Sequence, residues 1–463
     1  MQRSVRRAAL LTRGVDPWLM LAFLGLVCVG ILMVYSSSIA DAYTYYGSPY
    51  FYAERELVWV GLGTVALAVA VRTSYREWDR VALPLFAAAL TLLVLVMVPG
   101  IGHASHGARR WLSLTSFFVL EPSELMKLAL VVYLASWLAS KGERVRDFKS
   151  CFGPFGLIVG LIALLIVKQP DLGTTMVVVS TAVAIVFVAG AKLKHLAAVC
   201  AGGGAAAYML MHGQGYQRDR LLAFLNPWND PNGFGYHPIQ ALLALRFGGL
   251  IGQGLGNSTQ KYILPAPQTD SILAIIGEEL GLIGTLAVLA LFLVIAYRGI
   301  RIAAGAPDTF GRLLAAGVTS WIIFQALMNF AVITSSVPFT GVPLPFVSYG
   351  GTSLVISMTA MGILLNISRQ VSGEGFARQD FADGWGDRRT SVPRVIHRPA
   401  PHRRSGSAAR GSLRGSPKQA QRAPPGYPTH SRSGVLRIGK RNERPQHANA
   451  RQPASSAGKP AIR

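Results

Sequence analysis

Ten runs of apolar residues, approximately 17–38, 56–72, 81–98, 122–140, 153–168, 172–190, 196–212, 271–297, 313–333 and 350–368, dominate this chain. A helix needs roughly 17–25 such residues to cross the ~30 Å hydrocarbon core of a bilayer. Lipid offers no partner for backbone N–H and C=O groups, so spanning segments of this kind must be helical. The expected fold is therefore an all-α polytopic membrane protein with ten transmembrane helices. Soluble classes are excluded by a composition that is 51% hydrophobic and only 14% charged over 463 residues. The first run ends near "SIAD" at 38–41, which looks like a signal-peptidase site, but its apolar core is too long and it reads as a signal anchor. Cys28, Cys151 and Cys200 fall in predicted spans or a cytoplasmic loop, so no disulfide framework is implied.

The formal charge of +23 is unevenly spread and fixes an orientation. Arg3, Arg6, Arg7 and Arg13, then Arg72, Arg76 and Arg80, then Lys141, Arg144, Arg146 and Lys149 fall on one side if the N-terminus starts inside. Lys192, Lys194, Arg298, Arg301 and Arg312 follow them, which is the positive-inside pattern. The implied organisation is a basic cytoplasmic N-terminus (1–16), a membrane domain (17–369) with a large extracytoplasmic loop (213–270) between helices seven and eight, and a cytoplasmic tail (370–463). Residues 371–463 hold 19 Lys and Arg against 5 Asp and Glu, with abundant Pro, Ser and Gly, and are expected to be disordered. Such a tail can bind anionic lipid. Tethering at the membrane argues against nucleic acid.

The informative residues are the ionisable ones near or inside the spans. "GARRWL" puts Arg109, Arg110 and Trp111 outside, either as an anion site or as headgroup-snorkelling arginines beside an interfacial tryptophan. "EPSELMKL" sets Glu124 and Lys127 three residues apart at the mouth of the fourth span, where structural pairing and ligand binding explain them equally. "KQPDLGTT" repeats the theme with Lys168 and Asp171. "QTDSILAIIGEELGLIG" opens the eighth span with Asp270 and carries Glu278 and Glu279 within it. Capping explains an aspartate at a helix mouth. It does not explain the glutamates, because a charge near mid-bilayer costs at least ~2.5 kcal/mol. At ~100° apart they cannot share one partner, and Lys127 or Arg110 is the expected partner of one of them. "SSVPFTGVPLPFVSYGGTS" cannot be a regular helix, and is expected to line the same outward cavity. Segment 236–247 should form a helix along the membrane surface, and the glycines at 248–256 permit close backbone approach. His103 and His106 have metal-ligand spacing without a supporting cluster, so no metal site is assigned.

Together these motifs resemble the SEDS family, which includes FtsW, RodA and SpoVE. "GARRWL", "EPSELMKL", "QPDLGTT", "FLNPWNDPNGFGYHPIQALLA", "GGLIGQGLGNSTQK", "TDSILAIIGEELGLIG" and "PFTGVPLPFVSYGGTSL" occur in that family's order over roughly residues 16–369. "GLGNSTQK" and "MVYSSS" make the chain look more like FtsW than RodA.

The resemblance implies a glycosyltransferase that polymerises lipid II at the outer face of the bacterial cytoplasmic membrane, for septal synthesis in cell division. Asp270 would be the catalytic carboxylate, with Arg109, Arg110, Trp111, Lys127, Glu278 and Glu279 binding substrate. The implied partners are a class B penicillin-binding protein and other divisome proteins. No cofactor is implied with certainty, and a divalent cation, Mg or Mn, is left open. The family's usual "PEAHTDFIF" reads "PAPQTDSIL" here, and its usual "QPSE" reads "EPSE". Three other readings compete: a RodA-type elongation polymerase, a lipid II flippase and a non-catalytic division scaffold.

Overall fold

The computed structural model describes residues 14–105, 108–113, 118–142, 145, 151–212 and 216–384. Ten helices fall on the ten apolar runs: α1 (Pro17–Tyr46), α2 (Phe51–Arg72), α3 (Tyr75–Leu95), α4 (Pro122–Lys141), α5 (Gly153–Lys168), α6 (Leu172–Val188), α7 (Leu193–His212), α10 (Ile272–Gly305), α11 (Thr309–Ile333) and α12 (Gly351–Gly384). Two more, α8 (Tyr216–Leu225) and α9 (Tyr236–Gly248), lie in the long loop between α7 and α10, the second where an amphipathic helix was expected. Among the described residues α1, α3, α4, α10, α11 and α12 contain stretches long and apolar enough to cross a membrane, and α5 and α6 are shorter apolar helices. The last helix runs beyond Arg369 to Gly384, while the remaining tail and His106 lie outside the described residues. The strands β1 (His103–Ser105), β2 (Ala108–Ser113) and β3 (Val119–Leu120) were not anticipated. They form an antiparallel sheet in the order β1-β2-β3, with Leu112 opposite Leu120.

The centre of the bundle is built from α4, α11 and α12, whose Met126, Leu130, Leu134, Trp321 and Leu364 are almost wholly buried. Helix α12 packs most extensively on α2, and α11 on α10 and α6. One end of the bundle is locked by caps. Asp16 accepts from Leu19 N at 3.1 Å, pairs with Arg298 near the end of α10, and donates from its own N–H to Ser368 Oγ at 3.3 Å. Asp308 caps α11 through Gly311 N at 2.6 Å and takes the Tyr75 hydroxyl at 2.7 Å and Arg76 at 3.2 Å. Satisfied in this way, polar groups at helix ends join neighbours that apolar packing alone would leave free to slide.

Helix α10 is broken. Gly281 has φ 68° and ψ −166°, a region open essentially to glycine alone, so the short segment Ile272–Leu280, largely buried, meets the longer and more exposed segment that follows at a kink. The backbone groups freed by the break are taken up by the glycine-rich loop after α9. Gln253 N donates to Glu278 O and Gly254 N to Glu279 O, both at 3.0 Å, while Leu282 N donates to Gly249 O at 2.9 Å and Ile283 N to Leu250 O at 3.2 Å. No Cβ fits at Gly281, because the Leu250 carbonyl and the Gly252 backbone occupy that space. Gly281→Ala is expected to cost ~1–3 kcal/mol or more and to lower the thermal midpoint of the detergent-solubilised protein by several degrees. A midpoint equal to wild type would show that the break does not require glycine.

Candidate active site

Asp270 stands immediately before the short inner segment of α10, half-buried, with Ser271 at the N-cap. Its position is fixed through the main chain. Asn329 of α11, buried in a helix that is otherwise apolar at that level, donates from Nδ2 to Asp270 O at 2.9 Å and to Val342 O at 2.8 Å. Thr269 Oγ1 donates to Asp270 Oδ1 at 3.0 Å, and Tyr349 N donates to Gln268 O at 2.8 Å. The proline-rich segment between α11 and α12 thus arches over the aspartate, as its composition led us to expect. Gly341 of this segment, with φ 65°, lies against the carboxylate: an added Cβ would sit 3.2 Å from Asp270 Oδ2. The absence of a side chain there leaves the carboxylate accessible.

The same segment gathers two other ionic groups. Gly173, at the start of α6, packs so tightly on it that an added Cβ would lie 3.0 Å from Thr340. Two residues earlier Asp171 caps α6 through Thr174 N at 3.0 Å and lies 3.7 Å from Arg110 Nη1. Arg110 also donates from Nε to Gln169 O at 2.7 Å and from Nη2 to Pro170 O, so its guanidinium closes the β2–α6 junction. On the other flank Gln325 Nε2 donates to Pro343 O at 3.0 Å, and its Oε1 accepts from Lys127 Nζ at 2.7 Å and Trp321 Nε1 at 2.9 Å. Lys127 donates to Glu124 at 2.7 Å, with Ser353 Oγ on the second carboxylate oxygen at 2.8 Å. Lys127 is only 3% exposed, and its charge is compensated inside the protein. Trp111 is half-buried on β2, and the Arg109 side chain lies outside the described residues.

Glu278 and Glu279 are fully buried, and neither meets Lys127 or Arg110. Glu278 receives Ser258 Oγ, Thr259 Oγ1 at 2.8 Å, Thr259 N at 3.0 Å and Gln260 N at 3.2 Å, which caps a 3₁₀ turn at 260–262. Glu279 takes Ser36 Oγ of α1 at 2.7 Å and lies 3.8 Å from Lys261 Nζ. The expected cationic partner is therefore corrected to Lys261, from the loop that also fills the helix break. Pointing in different directions, the two glutamates bind one loop to α10 and α1.

Glu121 is the acid at the EPSE departure. Burial, reinforced by Glu124 and Asp171, pushes its carboxyl up to about 7 from 4.5, although Ser123 Oγ donates to it at 2.9 Å. A raised acid pKa means that the folded state holds a proton the unfolded chain has lost, so stability falls as pH rises from 4.5 towards about 7. Glu121→Gln is accordingly expected to raise the thermal midpoint at pH ~8 and to leave it unchanged below the ordinary glutamate value. A gain of equal size at pH ~4 would contradict that origin.

Several buried side-chain atoms in these segments have no protein partner: Oε1 of Gln268, Oδ1 of Asn329, Oγ1 of Thr340, Oγ of Ser335 and Nδ1 of His237. Leaving such atoms unpaired costs ~1–3 kcal/mol each, so they suit solvent or a polyhydroxylated ligand. Among the described residues no three His, Cys, Asp or Glu side chains are grouped to hold a metal ion. Sequence reading missed Asn329 and His237. A lone asparagine inside the apolar run 313–333 was the available signal for the first, whereas nothing local marked the second.

A helical bundle of this kind, with a carboxylate under an irregular re-entering segment, defines an integral membrane protein with a polar site at one end. Residues 17–373 match the family described as Cell cycle protein, FtsW/RodA/SpoVE. The chain belongs to that family. It is 40% identical over 359 residues to the probable peptidoglycan glycosyltransferase FtsW of Geobacter metallireducens, covering 77% of this chain and 96% of that one. It is 42% identical over 355 residues to stage V sporulation protein E of Bacillus subtilis, covering 76% and 97%. Among solved structures it resembles a chain of a peptidoglycan synthase complex that coordinates polymerization and crosslinking (TM-score 0.64, 27% identity, 77% of this chain and 98% of that one). It also resembles the rod shape determining protein RodA of Thermus thermophilus (TM-score 0.57, 26% identity, 77% and 97%).

Proposed function

We propose that this protein is a peptidoglycan glycosyltransferase of the FtsW type, polymerising lipid II for septal synthesis. The observation that carries the reading is Asp270, a carboxylate held by its backbone and left open by Gly341 at the mouth of a buried helix segment. Family membership and the named relatives support the reaction class. On this reading all ten apolar helices cross the cytoplasmic membrane, both termini are cytoplasmic, and Asp270 faces outward, in keeping with the basic loops.

Asp270 accepts the proton of a sugar hydroxyl as that oxygen attacks the anomeric carbon of a lipid-linked saccharide. The bond to the lipid pyrophosphate breaks, and a single displacement inverts the anomeric centre. The pyrophosphate charge calls for cations, and Arg109 on β2 is the candidate that this reading puts forward first. Arg110 and Lys127, engaged by protein groups, shape the walls of the site, with Trp111 beside the sugar. Glu278 and Glu279 act one layer away by holding the loop that supports the mouth. The partner on this reading is a class B penicillin-binding protein, as expected of a polymerase whose strands must be crosslinked.

Purified protein with its cognate penicillin-binding partner, whose own activity is blocked by a β-lactam, is expected to polymerise lipid II. Asp270→Ala should lose at least ~10²-fold of that rate while unfolding at the wild-type temperature. Polymer from the variant at the wild-type rate would remove Asp270 from the chemistry. No polymer from either protein in an intact complex would turn the reading towards precursor transport or a scaffold.

A further inference from the structure

A cavity of about 120 Å³ opens between α8, α9 and the segment that follows α11, and Asp270 lies outside its lining. His237 connects the two, because its Nε2 lies 3.1 Å from the hydroxyl of Ser271, the residue after Asp270. The cavity has two kinds of wall. Phe224, Phe234, Val337 and Phe339 supply an apolar side, and Arg220, His237 and Ser335 a polar one. Phe339 packs against the imidazole with ring centroids 3.9 Å apart.

Two polar atoms of this lining are buried without a protein partner, His237 Nδ1 and Ser335 Oγ. Ser335 adopts φ 51°, a left-handed conformation that is unfavourable for a residue with a Cβ. Strain and unmet hydrogen bonding at one place point to a ligand that repays both. Burial lowers the imidazole pKa against the opposing pull of Asp270, with Arg220 lowering it further. The backbone of Pro265 and of His237 itself lies near the ring and favours its protonated form, but neither carbonyl meets hydrogen-bond geometry at Nδ1. Asp270 and Arg220 are the charged groups that face the ring, and Phe339 covers it.

The required ligand group is small, neutral, apolar at one end, and both donor and acceptor at the other. An anion would place uncompensated charge against three phenylalanines, at a cost that one arginine at the polar wall would have to meet alone. A secondary amide ending in a methyl group fits. It is smaller than benzene, which occupies an apolar cavity of ~150 Å³. Its N–H or C=O serves Nδ1 in either tautomer, and the hydroxyl of Ser335 takes the other amide atom. In an N-acetylated amino sugar the acetamido group stands on C2, bonded directly to the anomeric carbon C1. A sugar with C1 at Asp270 therefore carries that group into the neighbouring space.

We propose that this cavity is the subsite for the 2-acetamido group of the sugar whose anomeric carbon is attacked, with its methyl against Phe224, Val337 and Phe339 and its amide on His237 and Ser335. The inference rests on the glycosyltransferase reading above and specifies how that site selects its sugar.

The test uses the full-length protein with its partner and compares two lipid-linked disaccharides. One is native, and the other carries butanamido in place of acetamido on the pyrophosphate-bearing sugar. Butanamido is two methylenes longer than acetamido, and even one methylene too many in a fitted pocket changes kcat/KM by ~10–200-fold, so wild type is expected to disfavour the butanamido substrate by at least that lower figure. Phe224→Ala opens the apolar wall and should bring the ratio of the two kcat/KM values at least about tenfold closer to one. Val337→Ala serves the same purpose if the first variant does not accumulate. A wild type that uses both substrates equally, or a ratio unmoved in the folded variants, would overturn the subsite while leaving the polymerase intact. No polymer from wild type on the native substrate would remove the glycosyltransferase reading, and the subsite with it.

Discussion

A helix break inside a membrane protein has to be filled, and the one at Gly281 determines how the rest of the site around Asp270 is built. Unpaired backbone groups at membrane depth cost several kcal/mol each, so the loop after α9 supplies four hydrogen bonds across the break. That requirement brings Gly248 and Gly252 against the backbone of 277–281 and carries residues 258–261 over the two glutamates. The short inner segment of α10 is thereby enclosed, with Asp270 at its open end.

The carboxylates of this segment consequently have different environments. Glu278 is surrounded by hydroxyls and backbone N–H groups, Glu279 by Ser36 and Lys261, and both are fully buried. Asp270 is pinned through its carbonyl and retains a half-exposed side chain beside a glycine. Buried ion pairs stabilise little in net terms, but removing one partner leaves an uncompensated charge and costs ~3–5 kcal/mol. Such pairs therefore specify a conformation, here the path of a loop across a bundle. The segment 337–348 does the same on the other side, where it gathers Asn329, Gln325 and Gly173 around its backbone.

Much of this was legible in the sequence. The ten apolar runs matched ten helices, because length and hydropathy suffice where lipid excludes other backbone states. Asp270 was identifiable by motif, and the proline-rich segment by its inability to form a helix. The break at Gly281 was not legible, since glycine in "GEELGLIG" is also compatible with close packing of an intact helix. Nor was Lys261 recognisable as the partner of Glu279, because an eighteen-residue separation on a loop has no period to read. The small sheet at 103–120 was missed for a related reason: strands of two to six residues carry too little alternation to register. Lys127 was read as equally fit for pairing and for ligand binding, and Arg110 as an anion site or a headgroup-snorkelling arginine; the structure supplies protein partners for both.

The division of labour among these carboxylates is the claim on which the account stands, and Glu279→Gln tests it most directly. The measurement is polymerisation per folded molecule together with the thermal midpoint of the same preparation. The account predicts a lowered midpoint, because Lys261 loses its countercharge, with polymerisation retained by the molecules that remain folded. An unchanged midpoint with polymerisation abolished would place Glu279 in the chemistry and contradict the assignment of that role to Asp270 alone.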